Sequence, residues 1–212
     1  MRVPVALSFV VVAACGGTAP DGSSSTDECV VRLHGKGGTG RPTTSSDGIA
    51  IVAPTGNGTG WGGAEWRYAT ERDVAAGLDI VRAAVDDAGC RSVVLHGFSN
   101  GAAFAAAAVC TGDELDGRLV GVIVDDPVTD AATLGCERPD VPLVVYWTGA
   151  LAEIAPPGTD CESIDWTCAG RVTRDIADVT ADLGVEPTPS PFEDHEWYLD
   201  APEPMIWLNA AG

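Results

Sequence analysis

Between Val93 and Ala103 the chain reads Val93-Val94-Leu95-His96-Gly97-Phe98-Ser99-Asn100-Gly101-Ala102-Ala103. An apolar, β-branched run that breaks into Gly-x-Ser-x-Gly and then into alanines permits few local structures. It predicts a strand, one very tight turn and a helix, with Ser99 at the turn and no side chain at Gly97 or Gly101 where the backbone closes on itself. A serine so placed stands exposed at the carboxyl edge of a parallel sheet. Its hydroxyl is a candidate nucleophile, and the backbone N–H of Asn100 faces the place where an oxyanion would form.

Two further segments fit that chemistry. Upstream, Cys29-Val30-Val31-Arg32-Leu33 is a short strand running into His34-Gly35-Lys36-Gly37-Gly38. A strand ending in His-Gly resembles the oxyanion loop of α/β-hydrolases, and that resemblance implies the N–H of Lys36 or Gly35 as the second oxyanion donor, where flexible backbone must approach the substrate carbonyl. The other reading is a plain glycine-rich turn. A phosphate loop does not fit, because Lys36 is followed by Gly37 and Val30 stands where the first glycine of that motif belongs. Downstream, Glu193-Asp194-His195-Glu196-Trp197 lies in a polar, proline-flanked stretch. The chain has 3 histidines, and His34 and His96 each precede a glycine at a strand end, which suits turn support. His195 is therefore the candidate base, with a surface loop histidine as the alternative.

With these pieces in place the chain resembles the α/β-hydrolase superfamily, and within it the secreted polyhydroxybutyrate depolymerase, feruloyl esterase and acetylxylan esterase-like group. The matching residues are His34-Gly35, Gly97-Phe98-Ser99-Asn100-Gly101 and Asp194-His195-Glu196-Trp197, spanning about Cys29 to Trp197. Asp194 stands where the group carries glycine. The resemblance implies a Ser-His-acid triad acting through an acyl-enzyme; the sequence carries no cofactor motif, so no cofactor and no metal are expected.

In that superfamily the acid follows one more strand after the one next to the elbow helix, and the corresponding strand here is Val141 to Trp147. Relatives continue with His-Gly-Thr-x-Asp. This chain continues Thr148-Gly149-Ala150-Leu151-Ala152-Glu153 instead, so Glu153 is the first expectation for the acid. The runner-up is Asp126, in the Asp125-Asp126 pair that ends the strand from Leu119 to Val124. Asp160, Asp165 or no acid at all complete the alternatives.

The N-terminus addresses the compartment. Met1-Arg2 precedes an apolar stretch from Val3 to Ala14 that is too short to span a bilayer as a helix. It ends in Val12-Ala13-Ala14-Cys15, which resembles a lipoprotein lipobox and implies lipidation at Cys15; an ordinary cleaved secretory signal is the alternative. We expect a signal peptide over 1–14, a flexible Gly/Ser/Thr tether over 15–28 and one domain over 29–212. Export makes the other cysteines disulfide candidates, with fifteen formal pairings. The resemblance favours Cys110–Cys136, and it makes the strands starting at Cys29 and Cys90 neighbours, so Cys29–Cys90 is expected to pair; Cys161–Cys168 would close a local loop. Zinc is disfavoured, since no Cys-x-x-Cys occurs.

A formal net charge of −19 argues against a nucleic-acid partner, because no Lys/Arg stripe is available to neutralise phosphates. The expected partners are an ester substrate and, through the lipid anchor only, a membrane; the sequence leaves the oligomeric state open. The expected path is strands at 29–33, 48–53, 91–96, 119–124 and 141–147, with helices at about 70–88, 100–110 and 171–183. Strands alternating with helices predict a mostly parallel sheet of about five strands, covered on both faces: a trimmed α/β-hydrolase fold without a separate lid domain. In the loop from Pro54 to Trp66, Trp61 or Trp66 is a candidate cleft-lining ring, or else a loop anchor. A serine esterase is the leading reading. A peptidase or amidase on the same scaffold and a catalytically degenerate binding lipoprotein are the others.

Overall fold

The computed structural model of the chain describes residues 28–46, 48–60, 62–150, 174–190 and 192–195. Its centre is a seven-stranded sheet. We name the strands β1 (Glu28–Leu33), β2 (Arg41–Ser46), β3 (Ile49–Ala53), β4 (Gly58–Gly60), β5 (Gly63–Glu65), β6 (Ser92–Phe98), β7 (Leu119–Asp125), β8 (Leu143–Trp147) and β9 (Pro187–Pro189), and the helices α1 (Glu71–Ala88), α2 (Asn100–Val109) and α3 (Ile176–Leu183). The sheet order is β2-β3-β1-β6-β7-β8-β9, while β4 and β5 form a separate hairpin. Every neighbouring pair in the large sheet is parallel except β2–β3.

The alternation of strand and helix thus produces the expected parallel sheet, but with seven strands in place of about five. The two additional strands lie at the edges, where period-two apolar patterning is weak. β2 is Arg-Pro-Thr-Thr-Ser-Ser, exposed from Arg41 to Ser45, and β9 is Pro-Thr-Pro. Proline is tolerated there because an edge strand has one side without ladder bonds. The last helix begins at Ile176, later than the expected 171, with Asp175 capping it by accepting from the Ala177 N–H.

α1 is amphipathic and turns Val74, Leu78, Val81 and Val85 inward; a Thr70/Asp73 capping box starts it and left-handed Gly89 ends it. α2 has no polar face, and all of its residues are buried. A helix apolar all round must be enclosed, and α2 packs on β6 and β7 beside α1, which itself packs on β1 and β3. The described helices share one core with Val31, Leu33, Val93, Leu95, Val122, Val124 and Val145. The alternate residues Val30, Val94, Ile123, Val144 and Tyr146 form a second buried cluster on the opposite face.

Disulfides Cys29–Cys90 and Cys110–Cys136 staple this scaffold. The first joins the starts of the adjacent strands β1 and β6. The second ties the end of α2 to the segment that leads into β8. Both pairings agree with expectation, while Cys161–Cys168 and the lipidation candidate Cys15 lie outside the described residues.

Candidate active site

Ser99 sits between β6 and α2 with φ 53° and ψ −114°. A non-glycine residue in such a conformation is strained, and the strain is held by backbone packed too closely for any side chain. A Cβ at Gly97 would lie 2.2 Å from the Gly101 oxygen, and one at Gly101 would lie 2.1 Å from the Leu33 oxygen. The start of α2 therefore rests directly on the end of β1. Hydrogen bonds fix the turn: the Ser99 N–H donates to the Asp125 oxygen (3.0 Å), and the Ser99 oxygen accepts from Ala103 (3.0 Å) and Val128 (3.3 Å).

His195 closes on Ser99. Its Nε2 is 2.9 Å from Ser99 Oγ, and its Nδ1 is 2.5 Å from Asp126 Oδ2. With Nδ1–H donating to the carboxylate, Nε2 accepts the Ser99 hydroxyl proton. The Phe98 ring stacks on the imidazole, centroids 4.7 Å apart at 29°. Asp126 is 1% exposed, has φ 48°, and also accepts from Thr148 N–H (3.0 Å) and Thr148 Oγ–H (2.7 Å). The carboxylate on His195 is thus Asp126, the runner-up acid. The first expectation, Glu153, lies outside the described residues, as do Asp160, Asp165 and Trp61.

The glycine-rich loop after β1 lies against this group. A Cβ at Gly35 would stand 3.4 Å from Ser99 Cβ and 3.3 Å from Phe98 Cδ1, so the loop backbone runs in close contact with Ser99. Within the loop, the Gly37 N–H donates to the Ala64 oxygen (2.9 Å) and the Gly38 N–H to the Gly35 oxygen (3.1 Å). Lys36 Nζ reaches Glu65 at 3.9 Å. His34 supports the turn, as its position before a glycine suggests. Its Nε2 accepts from Gly56 N–H (3.0 Å), so its Nδ1–H donates to the Gly35 oxygen (2.8 Å). Burial pushes the His34 pKa below its ordinary 6.5, against a smaller opposing effect of the Gly35 bond. His96 is also structural: it is buried on the second face of the sheet, 3.3 Å from Asp125 Oδ2.

Trp66 corrects an expectation. It is 0% exposed and packs against Phe104 (4.8 Å) and His34 (5.7 Å), as a core residue and not a cleft wall. The loop from Pro54 to Trp66 curls inward because Asn100 clamps it. Asn100 Oδ1 accepts from Trp66 N–H (2.7 Å), and Asn100 Nδ2 donates to the Trp66 oxygen (3.1 Å). Sequence reasoning used only the backbone of Asn100. The side-chain clamp and the Thr148 bonds escaped it, because both depend on partners distant in sequence.

A parallel sheet with this strand order, a strained Gly-x-Ser-x-Gly elbow after the central strand and a histidine descending from the C-terminal region define a trimmed α/β-hydrolase fold. No family model matches the chain, and no curated protein matches it. Among solved structures, the protein Atu2452 of unknown function from Agrobacterium tumefaciens str. C58 superposes with TM-score 0.52 at 18% identity, over 88% of this chain and 93% of that one. TT1662 from Thermus thermophilus gives TM-score 0.49 at 14% identity, over 88% of each chain. A phospholipase/carboxylesterase from Dyadobacter fermentans DSM 18053 gives TM-score 0.47 at 18% identity, over 87% of this chain and 90% of that one.

Proposed function

We propose that the protein is a serine hydrolase of carboxylic esters, with Ser99 as nucleophile, His195 as general base and acid, and Asp126 as the acid that orients His195. The observation that carries the reading is the unbroken hydrogen-bonded line from Ser99 Oγ through His195 to a buried Asp126 carboxylate, built on a strained elbow. Ser99 Oγ attacks the ester carbonyl as its proton passes to His195 Nε2. The Asn100 N–H, together with the Lys36 or Gly35 N–H, stabilises the oxyanion. The imidazolium, held by Asp126, then protonates the departing alcohol and leaves an acyl group on Ser99. Water, activated by the same histidine, releases the acid.

The assembled acid favours an active enzyme over a degenerate binding protein. The elbow Ser99-Asn100-Gly101 supports kinship with the secreted polyhydroxybutyrate depolymerase and feruloyl esterase-like group, although the acid follows β7 here and β8 in that group's pattern. We further propose export with a lipid anchor at Cys15, which the two disulfides support. Among the described residues no helix is long and apolar enough to cross a membrane.

The test is turnover of short-chain p-nitrophenyl esters beside the matching anilides. Ester turnover that is lost in Ser99→Ala and His195→Ala is expected. Anilide turnover of equal efficiency would make the enzyme an amidase, and a folded wild type inactive on both would overturn the proposal.

A further inference from the structure

We propose that Thr148 is the positioning residue of the triad, holding the Asp126 carboxylate so that Oδ2 faces His195. This rests on the reading of Ser99, His195 and Asp126 given above. An ionised carboxylate at 1% exposure needs hydrogen-bond donors in place of water. Asp126 receives Thr148 N–H at Oδ1 (3.0 Å), Thr148 Oγ–H at Oδ2 (2.7 Å) and His195 Nδ1–H at Oδ2 (2.5 Å). Among the described residues, Thr148 alone supplies both of the donors other than the histidine.

The backbone explains why the two meet. Asp126 follows the last residue of β7 with φ 48°, and its N–H donates to the Tyr146 oxygen of β8 (2.9 Å). That left-handed turn carries its side chain toward the end of β8, where Thr148 is the first residue beyond Trp147. The strand end expected to furnish the acid therefore furnishes the group that fixes it. The hydroxyl is itself oriented, since Thr148 Oγ1 accepts from the Ala150 N–H (3.1 Å) and so directs its own proton at Asp126. With the N–H bond alone, the carboxylate plane can tilt about Cβ–Cγ away from the line to His195 Nδ1. With both bonds, its plane is set.

Thr148→Val removes the hydroxyl and keeps the backbone donor and nearly the same volume, while Thr148→Ser keeps the hydroxyl. Two readouts are compared: kcat and KM on a p-nitrophenyl ester, and the low-field proton NMR resonance of His195 Nδ1–H. In T148V, kcat should fall about tenfold with KM changed less than about twofold, and the resonance should move or broaden away. T148S should restore both. Should T148V fail to fold, T148A reads the same loss. An unchanged kcat and resonance in T148V overturns the proposal, as does a T148S variant as impaired as T148V. The resonance needs no substrate, so a wild type without ester turnover would sink the esterase reading while leaving this inference to be judged on the NMR arm.

Discussion

Asp125 and Asp126 are neighbours in sequence, yet each holds a different histidine. Asp125 Oδ2 lies 3.3 Å from His96 Nε2 on the second face of the sheet, whereas Asp126 Oδ2 lies 2.5 Å from His195 Nδ1 beside Ser99. The left-handed turn at Asp126 (φ 48°) separates the two directions. Only the second pair connects to Ser99, so the two carboxylates are not interchangeable.

Asp126→Asn should lower kcat by about 10⁴ while the protein stays folded, because an amide permits the wrong histidine tautomer. Glu153→Gln should leave kcat near the wild-type value. Steady-state kinetics on one chromogenic ester decides both, and the reverse pattern would return the acid role to Glu153.

Removing the Asn100 clamp should destabilise the fold. Asn100→Ala leaves the buried Trp66 N–H and carbonyl without the partners they have at 2.7 and 3.1 Å. A loss of about 2–4 kcal/mol is expected in urea unfolding, together with lower activity because the same residue begins α2. A loss below about 0.5 kcal/mol would show that the clamp is dispensable.

Breaking Cys29–Cys90 should cost more than breaking Cys110–Cys136. The first closes 61 residues and the second 26, which in the chain-entropy picture correspond to about 4 and about 3.5 kcal/mol. Thermal unfolding of the two double-serine variants ranks them. The longer bridge also links the strands that carry the glycine-rich loop and the elbow, so its loss should lower activity as well.

Two buried groups make the stability of the fold depend on pH. Burial, helped by the charge of Asp125, pushes the Tyr146 phenol up to about 12 from 10.0. The unfolded chain releases that proton first, so stability is full below pH 10 and is lost as pH rises toward 12. Absorbance titration at 295 nm should show one late tyrosine, absent in Tyr146→Phe. His34 acts at the other end. Its pKa is depressed below 6.5, so its contribution is full above that pH and is lost as pH falls below it. Protonation would also break the Gly56 bond to Nε2, and NMR should find that nitrogen unprotonated at pH 6.5.

The elbow was legible because Gly97, Ser99 and Gly101 act through local backbone sterics, and α1 and the inner strands were legible because apolar periodicity reports burial. The edges were not: β2 and β9 owe their pairing to neighbours, not to their own polar residues. Trp66 shows the same limit. Its place in the core is decided by Asn100, 34 residues away, whereas its sequence context reads as an exposed glycine-rich loop. The contact of Asp126 with His195 was not legible because an aspartate at a strand end reaches a distant histidine only when its turn aims it, and the Thr148 bonds depend on the same turn.

The most direct measurement is mass spectrometry of the protein from Cys29 onward after treatment with a fluorophosphonate. The account predicts a single adduct mapped to Ser99, abolished in Ser99→Ala and strongly slowed in His195→Ala and Asp126→Asn. A folded protein that takes up no reagent, or an adduct at any other residue, would contradict it.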